Sequence, residues 1–182
     1  MQTKYSILIP CFNEKSTIKI LIEKVIEVKL ENFEIIVVDD KSFDGTVDIL
    51  KDIEKKYDFL KVVYLNINKG KGNAINIAFE HSIGEIIIIQ DADLEYDPND
   101  YSKLLQPIEK GLADVVYGSR FLGNEGRVLY YWHRVANFFL TTLSNILTNL
   151  NMTDMETCYK VFRRGVMQQI QIKEKRFGVE PE

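Results

Sequence analysis

Ile86-Ile-Ile-Ile-Gln-Asp-Ala-Asp-Leu-Glu95 runs four apolar β-branched residues straight into three carboxylates. A short, unbroken isoleucine run reads as a strand buried on both faces, the kind found in a parallel sheet covered by helices. Asp91, Asp93 and Glu95 therefore stand where a buried strand comes to the surface, held there by the rigidity of the strand before them.

The same pattern continues in both directions. Tyr5 to Ile9, Glu34 to Val38, Val62 to Leu65, Glu85 to Ile89 and Asp114 to Tyr117 are short and rich in Val or Ile, and are predicted as strands. Between them, Ser16 to Val28 places Ile18, Leu21, Ile22, Val25 and Ile26 on one helical face. Asp44 is placed to cap a helix carrying Val47, Leu50 and Ile53, and Asp97-Pro98 to start one carrying Tyr101, Leu104, Leu105 and Ile108. Alternation of this kind implies an α/β domain with a mostly parallel central sheet. Ligands of such sheets bind beyond the carboxyl ends of the strands.

Three loops at that edge carry acids: Pro10-Cys-Phe-Asn-Glu14, Asp39-Asp-Lys-Ser-Phe-Asp-Gly-Thr46 and Gln90-Asp-Ala-Asp-Leu-Glu95. Clustered carboxylates repel unless a cation or proton intervenes. Oxygen-only ligands suit Mg²⁺ or Mn²⁺, and Mg²⁺ usually binds through one or two carboxylates, waters and substrate phosphates. Solvated caps are the plainer explanation for Asp44 and Asp97. For Asp91 and Asp93, two apart after a buried strand, a shared metal accounts better for the pattern.

Asn68-Lys-Gly-Lys-Gly72 lacks the spacing of a phosphate-binding loop, yet its glycines permit close backbone approach and Lys71 has the charge to meet a phosphate. A lysine-rich turn before a helix over Ala74 to Phe79 explains it equally well. Gly84 reads only as a turn. Arg120 follows a strand ending at Tyr117-Gly118, and a guanidinium suits bidentate phosphate recognition. His81 and His133 form no pair at ligand spacing.

The chain has 182 residues and a formal net charge of −4. That length fits one domain of about 150 residues or somewhat more. The acidic balance argues against a general nucleic-acid binder, which needs a basic face. Cys11 and Cys158 match no metal spacing and read as reduced cytosolic thiols. No segment reaches about 18 uninterrupted apolar residues, the minimum for a spanning helix. The ending Arg176-Phe-Gly-Val-Glu-Pro-Glu182 has no obvious terminal element, so the expectation is a fragment truncated at its carboxyl end.

Beyond the flexible-looking Gly123-Asn-Glu-Gly126, Val128 to Leu150 reads as a long helix. Val135, Phe138, Phe139, Leu143, Ile146, Leu147 and Leu150 share one face, and Asn137, Thr141, Ser144, Asn145 and Thr148 the other. Its apolar face either packs on the sheet or lies at a membrane surface, with Tyr130, Tyr131 and Trp132 at headgroup level beside Arg134.

Pro10-Cys-Phe-Asn-Glu14, Val37-Val-Asp-Asp40 with Ser42-Phe-Asp-Gly-Thr46, Asn68 to Gly72, Asp91-Ala-Asp93 and Gly118-Ser-Arg120 together closely resemble the family-2 glycosyltransferases. The match is nearest to the polyprenyl-phosphate, dolichyl-phosphate mannose synthase-like branch. That resemblance implies a single Rossmann-like GT-A domain, with residues 1–120 binding a nucleoside diphosphate sugar and 121–182 facing acceptor and membrane. It implies contacts from Pro10, Phe12 and Glu14 to base and ribose, a base pocket lined by Val38 and Asp40, and a diphosphate and metal motif at Asp91, Ala92 and Asp93. Glu95 is implied as a further metal ligand, Arg120 as a phosphate partner, and Asp154 and Lys160 as acceptor-side residues. Lys41 departs from the glycine often found after the paired aspartates.

The implied activity is an inverting, Mg²⁺- or Mn²⁺-dependent transfer from a UDP- or GDP-sugar to a polyprenyl phosphate, at the cytoplasmic face of a membrane. Asp93 would act through the metal. Asp154 is a base only if the acceptor is a saccharide hydroxyl; a lipid phosphate already carries an anionic oxygen, and Asp154 would then orient Lys160, Arg163 or Arg134. Glu156 is the alternative carboxylate, and Glu182 is expected at the same site. A sugar nucleotidyltransferase or a dehydrogenase would carry a glycine-rich loop after the first strand, where Pro10-Cys-Phe-Asn-Glu14 offers none. A phosphoacceptor domain would carry its acidic pair after the first strand, not at Asp39-Asp40. A non-catalytic nucleotide-sugar-binding protein is the alternative of a different class, and a homo-oligomer stays open.

Overall fold

Tyr5–Cys11 (β1), Phe33–Asp39 (β2), Leu60–Tyr64 (β3), Ile86–Ile89 (β4), Val115–Tyr117 (β5) and Lys160–Arg163 (β6) form one sheet in the order β3-β2-β1-β4-β6-β5. The structure is a computed structural model and describes residues 3–120 and 131–170. β1 pairs in parallel with β2 and β4, and β2 with β3. β6 enters antiparallel between β4 and β5. The expected strands are all present; β6 is an addition that no sequence signal announced.

Helices Ile18–Glu27 (α1), Thr46–Glu54 (α2), Lys71–His81 (α3), Tyr101–Glu109 (α4), Tyr131–Thr148 (α5) and Arg164–Met167 (α6) connect or flank these strands. Alternate residues of β1 serve opposite faces, as the two-residue period of a strand requires. Ile7 and Ile9 join Ile18, Leu21, Ile22, Leu50, Leu104 and Ile108 on one face. Leu8 joins Ala74, Ile75, Ala78 and Met167 on the other. The Ile86–Ile89 run is buried throughout, as a strand covered on both faces must be.

The expected caps form with one displacement. Asp97 accepts the Asn99 amide and Pro98 opens a short 3₁₀ turn at Pro98–Asp100. Gly45, with φ +104, occupies the cap position of α2, while Asp44 Oδ1 accepts the Thr46 amide at 3.0 Å.

Gly84 does more than turn. A Cβ there would lie 2.6 Å from Ser6 Oγ and 2.7 Å from the Tyr5 carbonyl carbon, so the β1 backbone occupies the space a side chain would need.

In α5 the apolar face points outward. Phe138, Ile146 and Leu147 are 73%, 73% and 76% exposed, whereas Asn137 and Thr141 are 7% and 5% exposed. Packing of the apolar face on the sheet is therefore not what the structure shows. Among the described residues no helix is long and apolar enough to cross a membrane. Val128 to Tyr130, the loop at Gly123 to Gly126 and the segment ending at Glu182 lie outside the described residues.

Candidate active site

Parallel pairing brings the carboxyl ends of β1, β2 and β4 to one edge, and the loops leaving them enclose a cavity of about 350 Å³. Pro10, Phe12, Glu14, Asp40, Lys71, Asp91, Ala92 and Asp93 line it, joined by Cys11, Asn68, Gly70 and Ala74. Eight residues singled out from sequence thus share one space.

The loops after β1 and β2 are tied together by short polar side chains. Asn13 N donates to Ser42 Oγ at 2.8 Å, Phe43 N donates to Asn13 Oδ1 at 3.0 Å, and Glu14 N donates to Thr46 Oγ1 at 2.9 Å. Phe12 and Phe43 meet edge to face with centroids 6.0 Å apart. Lys41 adopts φ +67, the left-handed region that favours glycine. The lysine thus takes a conformation that suits glycine, at a steric cost of about 1–2 kcal/mol.

Asp40 is buried, and both of its oxygens are engaged. Oδ1 accepts the Lys69 amide at 2.8 Å and Oδ2 the Gly70 amide at 2.6 Å. It therefore shapes the cavity wall by holding the 68–70 loop against β2. Val38 is fully buried in the apolar cluster with Leu8 and Ala74 and does not line the cavity. The expectation that it lines a base pocket is not matched by the lining of this cavity, because its side chain is taken up in the core.

Asp91 is buried beside Lys71. Lys71 Nζ lies 2.7 Å from Oδ1 and 2.8 Å from Oδ2, and also donates to Cys158 Sγ at 3.0 Å. Oδ1 has the ammonium as a charge partner but no directed hydrogen bond. Asp93 is exposed, and Oδ1 accepts the Glu95 amide at 2.9 Å. Its carboxyl is raised above the ordinary value by burial of its surroundings and the charges of Asp91 and Glu95, against the Glu95 amide. Burial, then the charge of Asp91, pushes the Cys158 thiol up, so it is not a thiolate near neutral pH.

Among the described residues no three His, Cys, Asp or Glu side chains stand close enough to hold a metal ion together. The expected trio of Asp91, Asp93 and Glu95 is thus not gathered; Glu95 is exposed. Asp91 and Asp93 nevertheless fit a hard divalent cation: both offer oxygen, and one buried oxygen lacks a directed partner.

Gly118, Arg120, Asp154 and Lys160 reach the same edge from the far side of the sheet, because β6 runs antiparallel and Lys160 pairs with Tyr117. A Cβ on Gly118 would lie 3.1 Å from Tyr159 Cβ, so the glycine allows the close approach. None of the four lines the cavity. Lys160 is buried with Nζ 4.8 Å from the Tyr117 ring centre.

Asp154 has a fully buried side chain. Oδ2 accepts Arg120 N at 3.1 Å and Nε at 2.8 Å, and Oδ1 accepts Arg120 Nη2 at 2.8 Å and Asn137 Nδ2 at 2.7 Å. Thr141 Oγ1 donates to Asn137 Oδ1 at 3.0 Å, which explains why the polar face of α5 is the buried one. Burial alone would raise the Asp154 carboxyl, but the bonds from Arg120 and Asn137 outweigh it and hold it below the ordinary value. The hydrogen bond to Asp154 raises Arg120 further above its usual range.

Residues 6–171 match the model of glycosyl transferase family 2. The chain belongs to that family. This glycosyltransferase is 34% identical to a dolichol-phosphate mannosyltransferase of Pyrococcus furiosus over 121 residues, covering 65% of this chain and 34% of the relative. It is 30% identical over 168 residues to an undecaprenyl-phosphate 4-deoxy-4-formamido-L-arabinose transferase of Enterobacter sp., covering 90% of this chain and 50% of the relative. The glycosyltransferase thus spans between a third and a half of the length of these curated relatives. In fold it is similar to the glucosyl-3-phosphoglycerate synthase of Mycobacterium tuberculosis solved with Mn²⁺, uridine-diphosphate-glucose and phosphoglyceric acid. The TM-score is 0.68 at 20% identity, covering 98% of this chain and 63% of that one. The sheet and its neighbours are those of a GT-A glycosyltransferase.

Proposed function

We propose that this glycosyltransferase moves a sugar from a nucleoside diphosphate sugar to a polyprenyl phosphate, with inversion at the anomeric carbon. The convergence of Pro10, Phe12, Glu14, Asp40, Lys71, Asp91, Ala92 and Asp93 on one cavity carries the donor half of this reading. The polyprenyl-phosphate names of the two sequence relatives support the acceptor half. Residues 1–120 form the donor part and 121–182 the acceptor part in this scheme.

In this reading Pro10, Phe12, Glu14 and Asp40 serve base and ribose, while Lys71, Asp91 and Asp93 serve the diphosphate; all seven line the one cavity. Asp91 and Asp93 would hold Mg²⁺ or Mn²⁺, which when bound supplies positive charge against the diphosphate leaving group. Lys71 supplies a further cation on the same side. The acceptor's anionic phosphate oxygen attacks the anomeric carbon from the face opposite the diphosphate. A carbon–oxygen bond forms as the one to the diphosphate breaks, and the nucleoside diphosphate departs with the electron pair.

No protein base is needed for such an acceptor. Asp154 is committed to Arg120 and Asn137, and its low proton affinity suits orientation of the Arg120 guanidinium better than proton removal. Transfer to a saccharide hydroxyl would instead call for a base, with Glu156 as the alternative carboxylate to Asp154. The outward apolar face of α5, with Trp132 and Tyr131 exposed at its start and Arg134 beside them, supports peripheral contact with the membrane that holds a lipid acceptor.

Incubating the chain with UDP- and GDP-sugars, Mn²⁺ and either a short-chain polyprenyl phosphate or a free sugar tests the acceptor class. Formation of a lipid-linked sugar is expected; a product made only with the free sugar contradicts the reading.

A further inference from the structure

Gln90 is the one polar residue between the isoleucine run and Asp91, and it is fully buried. An amide inside an apolar core costs free energy unless its donors and acceptor are used. Here they are used on three sides. Nε2 donates to the Asp91 carbonyl at 3.1 Å and to the Tyr96 carbonyl at 3.4 Å, while Oε1 accepts the hydroxyl of Tyr101 at 3.0 Å. The reverse amide orientation would set Oε1 against two carbonyl oxygens, so this hydrogen-bond pattern selects one orientation.

The two carbonyls bracket the loop that carries Asp91, Asp93 and Glu95. Within it Leu94 has φ +63, a left-handed conformation that an L-residue keeps only when the surroundings hold it. The loop's far end is anchored by the same shell: Tyr96 accepts the Cys158 amide at 3.1 Å, and Tyr159 donates its hydroxyl to the Asp97 carbonyl at 2.9 Å. The rings of Tyr96 and Tyr101 pack on Tyr159 with centroids 5.0 and 6.0 Å away. Gln90 N itself extends the β1 ladder by donating to the Leu8 carbonyl at 3.0 Å. One buried residue thus joins the sheet through its backbone, and α4 and both ends of the acidic loop through its side chain.

We propose that Gln90 is a positioning residue for the diphosphate and metal site, closing the Asp91–Tyr96 loop from beneath so that Asp91 and Asp93 are presented together. The inference rests on the donor reading above only for what the loop binds, not for what holds it.

Gln90→Glu is the sharpest test, because it keeps the shape and the acceptor toward Tyr101 while removing the amide donors. Gln90→Met removes both functions. Tyr101→Phe is the control for lost stability, since it breaks the bond to Oε1 and spares the two carbonyl bonds. Two readouts are taken: Mn²⁺ binding in the presence of UDP or GDP, followed by the electron paramagnetic resonance signal of free Mn²⁺, and hydrogen exchange of the amides at 93–96.

The expected result is a loss of roughly 10- to 100-fold in Mn²⁺ affinity for both Gln90 variants, the range seen when residues supporting metal ligands are removed. Amide exchange at 93–96 should quicken in the same two variants, with Tyr101→Phe matching wild type in both readouts. Wild-type affinity and exchange in Gln90→Glu would overturn the proposal, as would an equal loss in Tyr101→Phe. If the wild type binds no Mn²⁺ with either nucleotide, the donor reading fails. The exchange measurement then still decides whether Gln90 holds the loop.

Discussion

Arg120 holds Asp154 through three hydrogen bonds, from its backbone amide at 3.1 Å and from Nε and Nη2 at 2.8 Å each. The pair is shielded from water on the Asp154 side, and Asn137 completes the carboxylate's shell. Removing the carboxylate takes away the acceptor of a half-buried guanidinium and of the buried Asn137 amide, at a cost of about 3 kcal/mol, the lower end of the range for broken buried pairs. Asp154→Ala should therefore unfold at markedly lower denaturant concentration than wild type. Asp154→Asn should lower turnover without altering the shape of the pH–rate profile, because in the proposed mechanism Asp154 orients Arg120 and takes no proton. Loss of a pH-dependent limb in that variant would make Asp154 a base after all.

The same carboxylate has a sign in the pH dependence of stability. Its folded value lies below the ordinary 3.8, so its contribution is fully present above that value and is lost as pH falls through the folded value. Wild-type stability should decline below about pH 4 more steeply than that of Asp154→Asn, in denaturation curves measured across the acid range.

Asp40 should act on donor binding through the loop it holds. Asp40→Ala removes the acceptor of the part-buried Lys69 and Gly70 amides, at a cost of about 1 kcal/mol because water can reach that loop. Faster hydrogen exchange at those two amides and weaker nucleotide binding are expected together. Unchanged exchange would mean that the loop is held by something else.

Gly84→Ala separates folding from function. The added methyl would meet the Tyr5 backbone at 2.7 Å, far from the cavity and at the opposite end of β1. Overpacking of this kind costs about 1–3 kcal/mol. The variant should melt earlier than wild type, yet bind donor normally at temperatures where it stays folded.

Ile146→Glu with Leu147→Glu probes the exposed face of α5. Both side chains are largely in solvent, so stability should move by no more than about 0.5 kcal/mol. Flotation with anionic vesicles should show wild-type protein bound and the double variant released. Equal flotation of the two proteins would remove α5 from the membrane contact.

Much of this was legible in residue order because it rests on strong local periodicity. The isoleucine run, the alternation of strands with amphipathic helices and the acids after the strands point to the edge where the acid-lined cavity lies. Three features were not legible, each for a physical reason. β6 spans only Lys160–Arg163, too short for a two-residue alternation to declare itself, and its antiparallel entry is decided by distant partners. The facing of α5, which the sequence left between two orientations, is set by Asp154, which buries Asn137 and Thr141. Gln90 looks like any polar residue at the end of a strand until the carbonyls of Asp91 and Tyr96 are seen around it.

Calorimetric titration of the chain with UDP- and GDP-sugars, with and without Mn²⁺ or Mg²⁺, in wild type and Asp93→Ala is the most direct test of the donor site. One donor should bind in a metal-dependent manner to wild type, and Asp93→Ala should keep its fold and lose that dependence. Donor binding of equal strength with and without metal, unchanged in Asp93→Ala, would contradict the assignment of Asp91 and Asp93.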